Sequence, residues 1–347
     1  MRKLLSLLSI TLISTSIFAQ GVTLPARSPD GTPLAREDGP SNHAVLLQPP
    51  ADVPVKGPNN DRERHGEFSA WGGFLYMQPT FTNNPAFVIA RPLGDTRIIE
   101  FNERLDFGPD LWVAFTHERG WGVRARWFQF DHDANQSYTA AAAETIRAIT
   151  SRPAGQTAVA GTVVAGSNLA LTVADIQGTC HFNRGPWSHT LGLGVRYTHI
   201  SQDYRVTLTS PAAHVNVVSG HNLNGVGPAA TLETRRRLGE TGLALYGALY
   251  GSIVFGHAQE NNFASNGGAP QYVERSYTDA LPVGEMEIGA EYRREVGRAN
   301  VFVQAGFVGQ LWWGAGNASN FDAIPFSSAG DTNLGFLGLV VRAGVRY

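Results

Sequence analysis

The last residues of the chain, 334–347, alternate between an apolar face and a face that carries arginines and glycines. The apolar set comprises Leu337, Leu339, Val341, Ala343, Val345 and Tyr347. The intervening positions are Phe336, Gly338, Val340, Arg342, Gly344 and Arg346. A two-residue period predicts a β-strand with two different faces. An apolar face opposite a charged face, ending on an aromatic residue, is typical of outer-membrane barrels, where lipid-facing and lumen-facing residues alternate.

The same pattern recurs along the body of the chain, from about 66 to 347. Each repeat is long enough for the 9–11 residues that a tilted membrane strand needs. We predict ten strands at 67–78, 106–118, 120–131, 168–182, 187–201, 224–237, 241–257, 281–294, 299–313 and 334–347. The predicted fold class is therefore all-β, a single antiparallel transmembrane barrel.

Short and long connections alternate between these strands. Short Gly-containing turns lie at 117–121, 183–186, 238–242 and 295–298, and each is compatible with a tight hairpin. The long connections are 79–105, 132–167, 202–223, 258–280 and 314–333. Bacterial barrels have short periplasmic turns, long outer loops and an even strand number, which places both termini in the periplasm. A soluble sheet would bury its apolar face instead, and the alternation alone does not separate the two cases.

The N-terminal part of the chain lacks this period. Residues 1–19 combine a short basic start with an apolar run that is too short to span a bilayer, which predicts a secretory signal peptide cut after Ala19. Residues 20–65 are polar and rich in proline, and we expect a disordered periplasmic leader. The expected localisation is the outer membrane of a Gram-negative-type cell envelope.

Composition adds little chemistry. The formal net charge of −2 gives no reason to expect nucleic acid as a partner. A single cysteine, Cys180, excludes an internal disulfide; it falls on the predicted lipid face near a short turn, where a small apolar filler is expected. We expect no cofactor and no metal.

Several segments of the body resemble a known family. They are FSAWGGFLY at 68–76, WGVRARWF at 121–128, LGVRY at 193–197, GVGPAATLE at 225–233 with LYG at 245–247, and GLVVRAGVRY at 338–347. Together they are similar to the Legionella-type major outer membrane protein family, which is described as pore-forming. The resemblance covers about 66–347 and implies fold and location. It transfers no functional residue.

The charged residues of the strands share the inward face. These candidate lumen residues are Arg124, Arg126, Arg196, Arg235, Arg342 and Arg346, together with Asp110, Asp175, Glu233, Glu285, Glu287 and Glu291. Buried charges must pair or contact water, so two interpretations compete. Either they line a wet pore and set its selectivity for ions or small solutes, or they form a plug of salt bridges. About eight strands enclose a filled interior, whereas about 16–18 leave an aqueous channel, so a ten-stranded pore should be narrow. We predict a narrow passive pore for ions or small solutes; the alternative is a non-conducting structural or surface-interaction barrel that works through its outer loops.

Two segments of the long loops carry patterns of their own. Residues 87–90 and 96–101 flank a turn and predict a short hairpin in the first outer loop; pairing both arms into the wall would instead give twelve strands. Residues 139–149 predict a short helix over the mouth.

A hydrolase at the outer rim is a further alternative. Asp131 and His132 lie at the outer end of the third strand, and His199 and Asp203 at that of the fifth. Such carboxylate–histidine pairs can activate water. No Ser-centred motif accompanies them, and His132 lacks metal-ligand spacing, so we predict that the protein is not an enzyme.

Aromatic residues near strand ends predict the two membrane interfaces. The expected anchors are Trp121, Trp187, Trp312, Trp313 and Tyr347. The expected partners are outer-membrane lipid, the barrel-assembly machinery through the C-terminal strand, and ions or small solutes.

Overall fold

The computed structural model describes residues 66–92, 94–141, 143–149, 157–159, 161–211, 214–266, 269–320 and 332–347. The predicted signal peptide and leader therefore lie outside the described residues. Within the described ranges, no helix is long and apolar enough to cross a membrane.

Ten antiparallel strands close into one barrel, which confirms the predicted fold class and strand number. The barrel strands are β1 Glu67–Phe81, β4 Asp106–Thr116, β5 Trp121–Thr139, β8 Thr162–Arg184, β9 Trp187–Thr209, β10 His214–Arg237, β11 Leu243–Ser265, β12 Gln271–Val296, β13 Ala299–Trp312 and β14 Leu334–Arg346. Their order around the ring is β1-β14-β13-β12-β11-β10-β9-β8-β5-β4, with β4 pairing back to β1.

The four remaining strands form a separate sheet. They are β2 Pro85–Ala90, β3 Thr96–Glu100, β6 Thr145–Ala148 and β7 Thr157–Val159, in the order β3-β2-β6-β7. The predicted hairpin is thus confirmed as β2 and β3, and it does not join the barrel wall. The predicted helix at 139–149 is wrong, because β6 occupies its second half and pairs with β2.

The barrel wall is taller on one side than the sequence pattern predicted. Strands β8 to β12 have 23 to 26 residues, whereas β13 and β14 have 14 and 13. The connections at one end of the barrel are tight turns, so the additional residues of these strands extend the wall at the other end, where the long loops were predicted. Much of the predicted outer loops 132–167, 202–223 and 258–280 is therefore strand.

The four-stranded sheet packs inside this tall wall. Phe87, Ile89 and Ile146 of the sheet share an apolar cluster with wall residues such as Val163 and Val217. The hydroxyl of Tyr204 on β9 donates to the Ala86 carbonyl at 2.6 Å and fixes the sheet to the wall. The sheet therefore fills the long-loop end of the barrel.

Exposed apolar residues cover the outer surface of the barrel in the half that is nearer the short turns. On β4, Phe107 and Leu111 are exposed while Asp110 and Trp112 are buried, and on β9 Leu193 is exposed next to buried Gly192. The assignment of faces from the alternation is confirmed. An apolar outer surface with a charged interior is the arrangement of a membrane barrel and the reverse of a soluble one.

Candidate functional site

In the half of the barrel that is nearer the short turns, the interior contains a dense set of ion pairs, which we call the charge layer. Ten of the twelve charged strand residues named from the sequence are buried, and Arg235 and Arg346 are partly buried. The layer comprises Asp110, Arg124, Arg126, Asp175, Arg196, Glu233, Glu285, Glu287 and Arg342, and all of them are buried.

Asp110 on β4 is the centre of the charge layer. Its carboxylate accepts from Arg342 Nε at 2.6 Å, Arg126 Nε at 3.1 Å and Trp112 Nε1 at 3.0 Å. The residue has no solvent exposure. An unpaired carboxylate could not be buried there, so these donors compensate for its desolvation.

One ion pair of this layer crosses the whole barrel. Arg126 on β5 and Glu285 on β12 are five strands apart in either direction around the ring of ten. Nevertheless, Arg126 Nη1 lies 3.0 Å from Glu285 Oε2, and both side chains are only 2% exposed. Two side chains that meet from opposite walls leave no open channel between them at this height.

Further ion pairs extend the layer around the ring. Arg196 holds Asp175 through two nitrogens at 2.7 and 2.9 Å and reaches Glu285 at 2.5 Å. Arg124 pairs with Glu233 and donates to the Gln177 amide oxygen at 2.7 Å. These bidentate and shared contacts give each buried charge at least one opposite partner.

Trp112 lies in the middle of these charges. The guanidinium carbons of Arg124, Arg126 and Arg342 lie 4.8, 5.0 and 5.8 Å from its ring centroid, and Trp71 stacks on it at 5.4 Å. Cations are attracted to the face of an indole ring, so Trp112 both fills the lumen and stabilises the arginines. Trp112 was not predicted as an interior residue, although its alternation with Asp110 carried that signal.

An apolar layer lies on the long-loop side of the charge layer. Phe130 and Phe336 meet edge to face at 5.2 Å, and Trp312 is fully buried in the same cluster. The other large members of this cluster are Leu75, Met77, Phe128, Leu169, Leu171, Ile200, Leu223 and Leu281. Side chains therefore fill the interior of the barrel both at the charge layer and at the adjoining apolar layer.

Open space begins on the opposite side of the charge layer. A cavity of about 560 Å³ at the short-turn end is lined by Arg235, Arg293 and Arg346, among others. A smaller cavity of about 120 Å³ shares Arg235 and Arg346 with it and reaches Arg124 and Glu233. We call this space the vestibule.

The predicted Asp131–His132 pair does not assemble. Asp131 is exposed and accepts from Gln129 at 2.9 Å, whereas His132 is buried on the opposite face of β5. His132 Nδ1 contacts Asp106 Oδ2 at 2.6 Å, and its Nε2 contacts Glu103. Burial lowers the pKa of His132, but the hydrogen bonds with Glu103 and Asp106 outweigh it and raise the pKa above the ordinary value.

The second predicted pair does not assemble either, because His199 Nδ1 contacts Asn224 Oδ1 at 2.7 Å on the outer surface. Among the residues that the structure describes, no group of three His, Cys, Asp or Glu side chains is arranged to hold a metal ion. Neither arrangement offers a nucleophile beside a base.

The predicted anchors divide into two groups. Trp121, Trp187, Trp313 and Tyr347 are exposed on the outer surface, in positions that suit a membrane interface. Trp312 is the exception and the prediction for it is wrong. It lies inside the barrel, because it follows Gln310 by two residues on β13 and therefore points to the same inward side. Its Nε1 donates to Gln310 Oε1 at 3.2 Å. Cys180 is exposed, as predicted.

Comparison with known proteins identifies one family. The model of the family described as Legionella pneumophila major outer membrane protein precursor matches residues 63–346. No curated protein matches the chain.

Solved structures with a similar backbone trace are outer-membrane proteins whose sequence identity to this chain is low. The outer membrane protease OmpT from Escherichia coli is 10% identical, with 81% of this chain and 96% of that chain covered and a TM-score of 0.44. A major outer membrane protein from Thermus thermophilus is 14% identical, with 82% and 100% covered and a TM-score of 0.34. A Pseudomonas aeruginosa FadL homologue is 8% identical, with 82% and 90% covered and a TM-score of 0.25.

Proposed function

Since the chain belongs to the Legionella pneumophila major outer membrane protein family, it is an outer-membrane β-barrel, and we propose that this barrel does not conduct. In this proposal it is a structural barrel that holds the four-stranded sheet β3-β2-β6-β7 at the cell surface. The short turns then face the periplasm and the long loops face outward.

The observation that carries the proposal is the Arg126–Glu285 pair across the diameter of the lumen. Ion pairs on the other strands surround it, and the apolar layer above it consists of aliphatic and aromatic side chains. Ions cross a barrel through a wet, polar path, and a packed apolar section presents a dehydration barrier. Ten strands are also close to the number at which side chains fill the interior.

The surface sheet supports an outward-facing role. Among the residues that the structure describes, β3 pairs only with β2 and forms an edge of the four-stranded sheet. Ile98 on β3 is 59% exposed. An open strand edge with an exposed apolar side chain is a common site for contact with another protein.

A narrow pore remains the second candidate, and the vestibule favours it. The two cavities admit water from the periplasmic end as far as Arg124 and Glu233. Conduction would then require the charge layer and the apolar layer to rearrange together.

Planar-bilayer recording distinguishes the two candidates. Wild-type protein, shown to be folded by its heat-modifiable migration on gels, is expected to give no discrete current steps. Reproducible steps whose size or ion preference changes in Arg126→Ala would refute the closed barrel and establish the pore.

A further inference from the structure

The periplasmic vestibule contains more guanidinium charge than its buried carboxylates can neutralise. Arg235 on β10, Arg293 on β12 and Arg346 on β14 all line it. Glu291 is the buried carboxylate among them, and it already serves both Arg293 at 2.7 Å and Arg235 at 3.3 Å. Among the carboxylates that line the larger cavity, Glu291 is thus the only buried one against these three arginines.

The carboxylate deeper in the vestibule does not correct this excess. Glu233 pairs with Arg124 and lies 3.3 Å from Arg235 Nη1, so it too is shared. The remaining carboxylates that line the larger cavity, Glu67, Glu240 and Glu295, are exposed at the rim. Water screens charges at the rim, so they contribute little to the potential inside.

Arg346 shows the excess most directly. Among the described residues its ion pair is with Glu67 at 3.8 Å, which is too long for a hydrogen bond. The Arg346 side chain is nevertheless only 19% exposed, and its guanidinium lies over the Phe302 ring at 5.2 Å. A partly buried cation without a hydrogen-bonded anion attracts one from solution.

Arg293 adds a second donor in the same space. Its Nη2 donates to Glu291, but its Nε is buried and has no hydrogen-bond partner within the described part of the chain. Arg346 is opposite Asn300 on β13, which in turn is opposite Glu295 on β12. Arg293 and Arg346 therefore approach the same part of the vestibule from strands that are two apart in the wall.

We propose that the vestibule is a binding site for a small oxyanion of the phosphate class, held by Arg293 and Arg346 with Arg235 beside them. A tetrahedral oxyanion has several acceptor oxygens, so it can receive hydrogen bonds from guanidiniums on different strands at once. The cavity of about 560 Å³ accommodates such an ion together with water. The site opens to the periplasm and is independent of whether the barrel conducts.

Calorimetric titration of the full-length protein in detergent micelles with inorganic phosphate tests the proposal. Chloride at the same ionic strength measures the contribution of screening alone. Arg346→Gln removes one donor without breaking a short ion pair. Arg294→Gln is the matched control, because Arg294 is the next residue after Arg293 and is exposed on the outer surface of the same strand.

Wild-type protein is expected to bind one phosphate per chain saturably, and chloride is expected to show no saturable binding. Arg346→Gln should weaken phosphate binding about tenfold or more, as expected for the loss of one charge-assisted hydrogen bond. Arg294→Gln should leave the affinity unchanged. Absence of saturable phosphate binding to folded wild-type protein would overturn the proposal, and so would equal affinities of the wild-type and Arg346→Gln proteins.

Discussion

Neutralising Asp110 tests whether the charge layer stabilises the barrel. Asp110→Asn keeps the shape of the side chain but removes the charge that Arg342 and Arg126 contact at 2.6 and 3.1 Å. Removing one partner of a buried ion pair costs about 3–5 kcal/mol, because the other charge stays buried. Arg126 keeps Glu285 and Arg342 keeps Glu287 as partners. We therefore expect the lower end of that range, a loss of about 3 kcal/mol in the free energy of unfolding.

Urea unfolding of the protein refolded in lipid vesicles, followed by tryptophan fluorescence, measures this loss. Asp131→Asn makes the same chemical change at an exposed position and should alter the free energy of unfolding by less than about 0.5 kcal/mol. A loss below about 1 kcal/mol for Asp110→Asn, or one no larger than that for Asp131→Asn, would refute the assignment of Asp110 as the centre of the layer.

Two further outcomes are expected. The raised pKa of His132 means that its contacts with Glu103 and Asp106 stabilise the fold fully below about pH 6.5 and lose that effect as the pH rises through the folded-state pKa. Amide hydrogen exchange of residues 101–105, corrected for the intrinsic rate, should then accelerate above that pH, and a response that persists in His132→Gln would contradict this cause. Gly194→Ala should cost about 1–3 kcal/mol in urea unfolding, because a Cβ there would lie 2.0 Å from the Ile176 carbonyl oxygen. Gly251→Ala, with nothing within 4 Å of its Cβ, should change stability by less than about 0.5 kcal/mol, and equal effects of the two would refute the steric argument.

The apolar-outward, charged-inward alternation identifies barrel strands only where the wall faces lipid, and it ends where the strands extend beyond the membrane surface. Within the lipid, apolar residues such as Leu193 point outward and charged ones point inward. Above it, the outer face of the wall meets water, so apolar residues such as Val206 and Leu208 turn inward. Side chains still alternate between the two faces of the wall there, but the apolar side chains now lie on the inner face. The pattern therefore predicted β8 to β12 too short at their long-loop ends and assigned those residues to loops.

Interior contacts across the lumen were not accessible from the sequence. The alternation predicted Arg126 and Glu285 on the inward face, but it carries no information on whether the two side chains line a pore or close it. Their 3.0 Å contact depends on the barrel radius and on the register of strands that are not neighbours. The same holds for Glu103, which reaches His132 from a loop and has no periodic pattern around it.

By itself, the sequence determined the strand number, the antiparallel order and the face on which each strand residue lies. Those properties follow from local geometry, since side chains alternate along a strand and tight turns join neighbours. Only the tertiary structure decided which inward side chains meet, how the surface sheet fills the outer mouth, and where open space remains. Those outcomes depend on distances between strands far apart in the chain, which closure of the barrel sets.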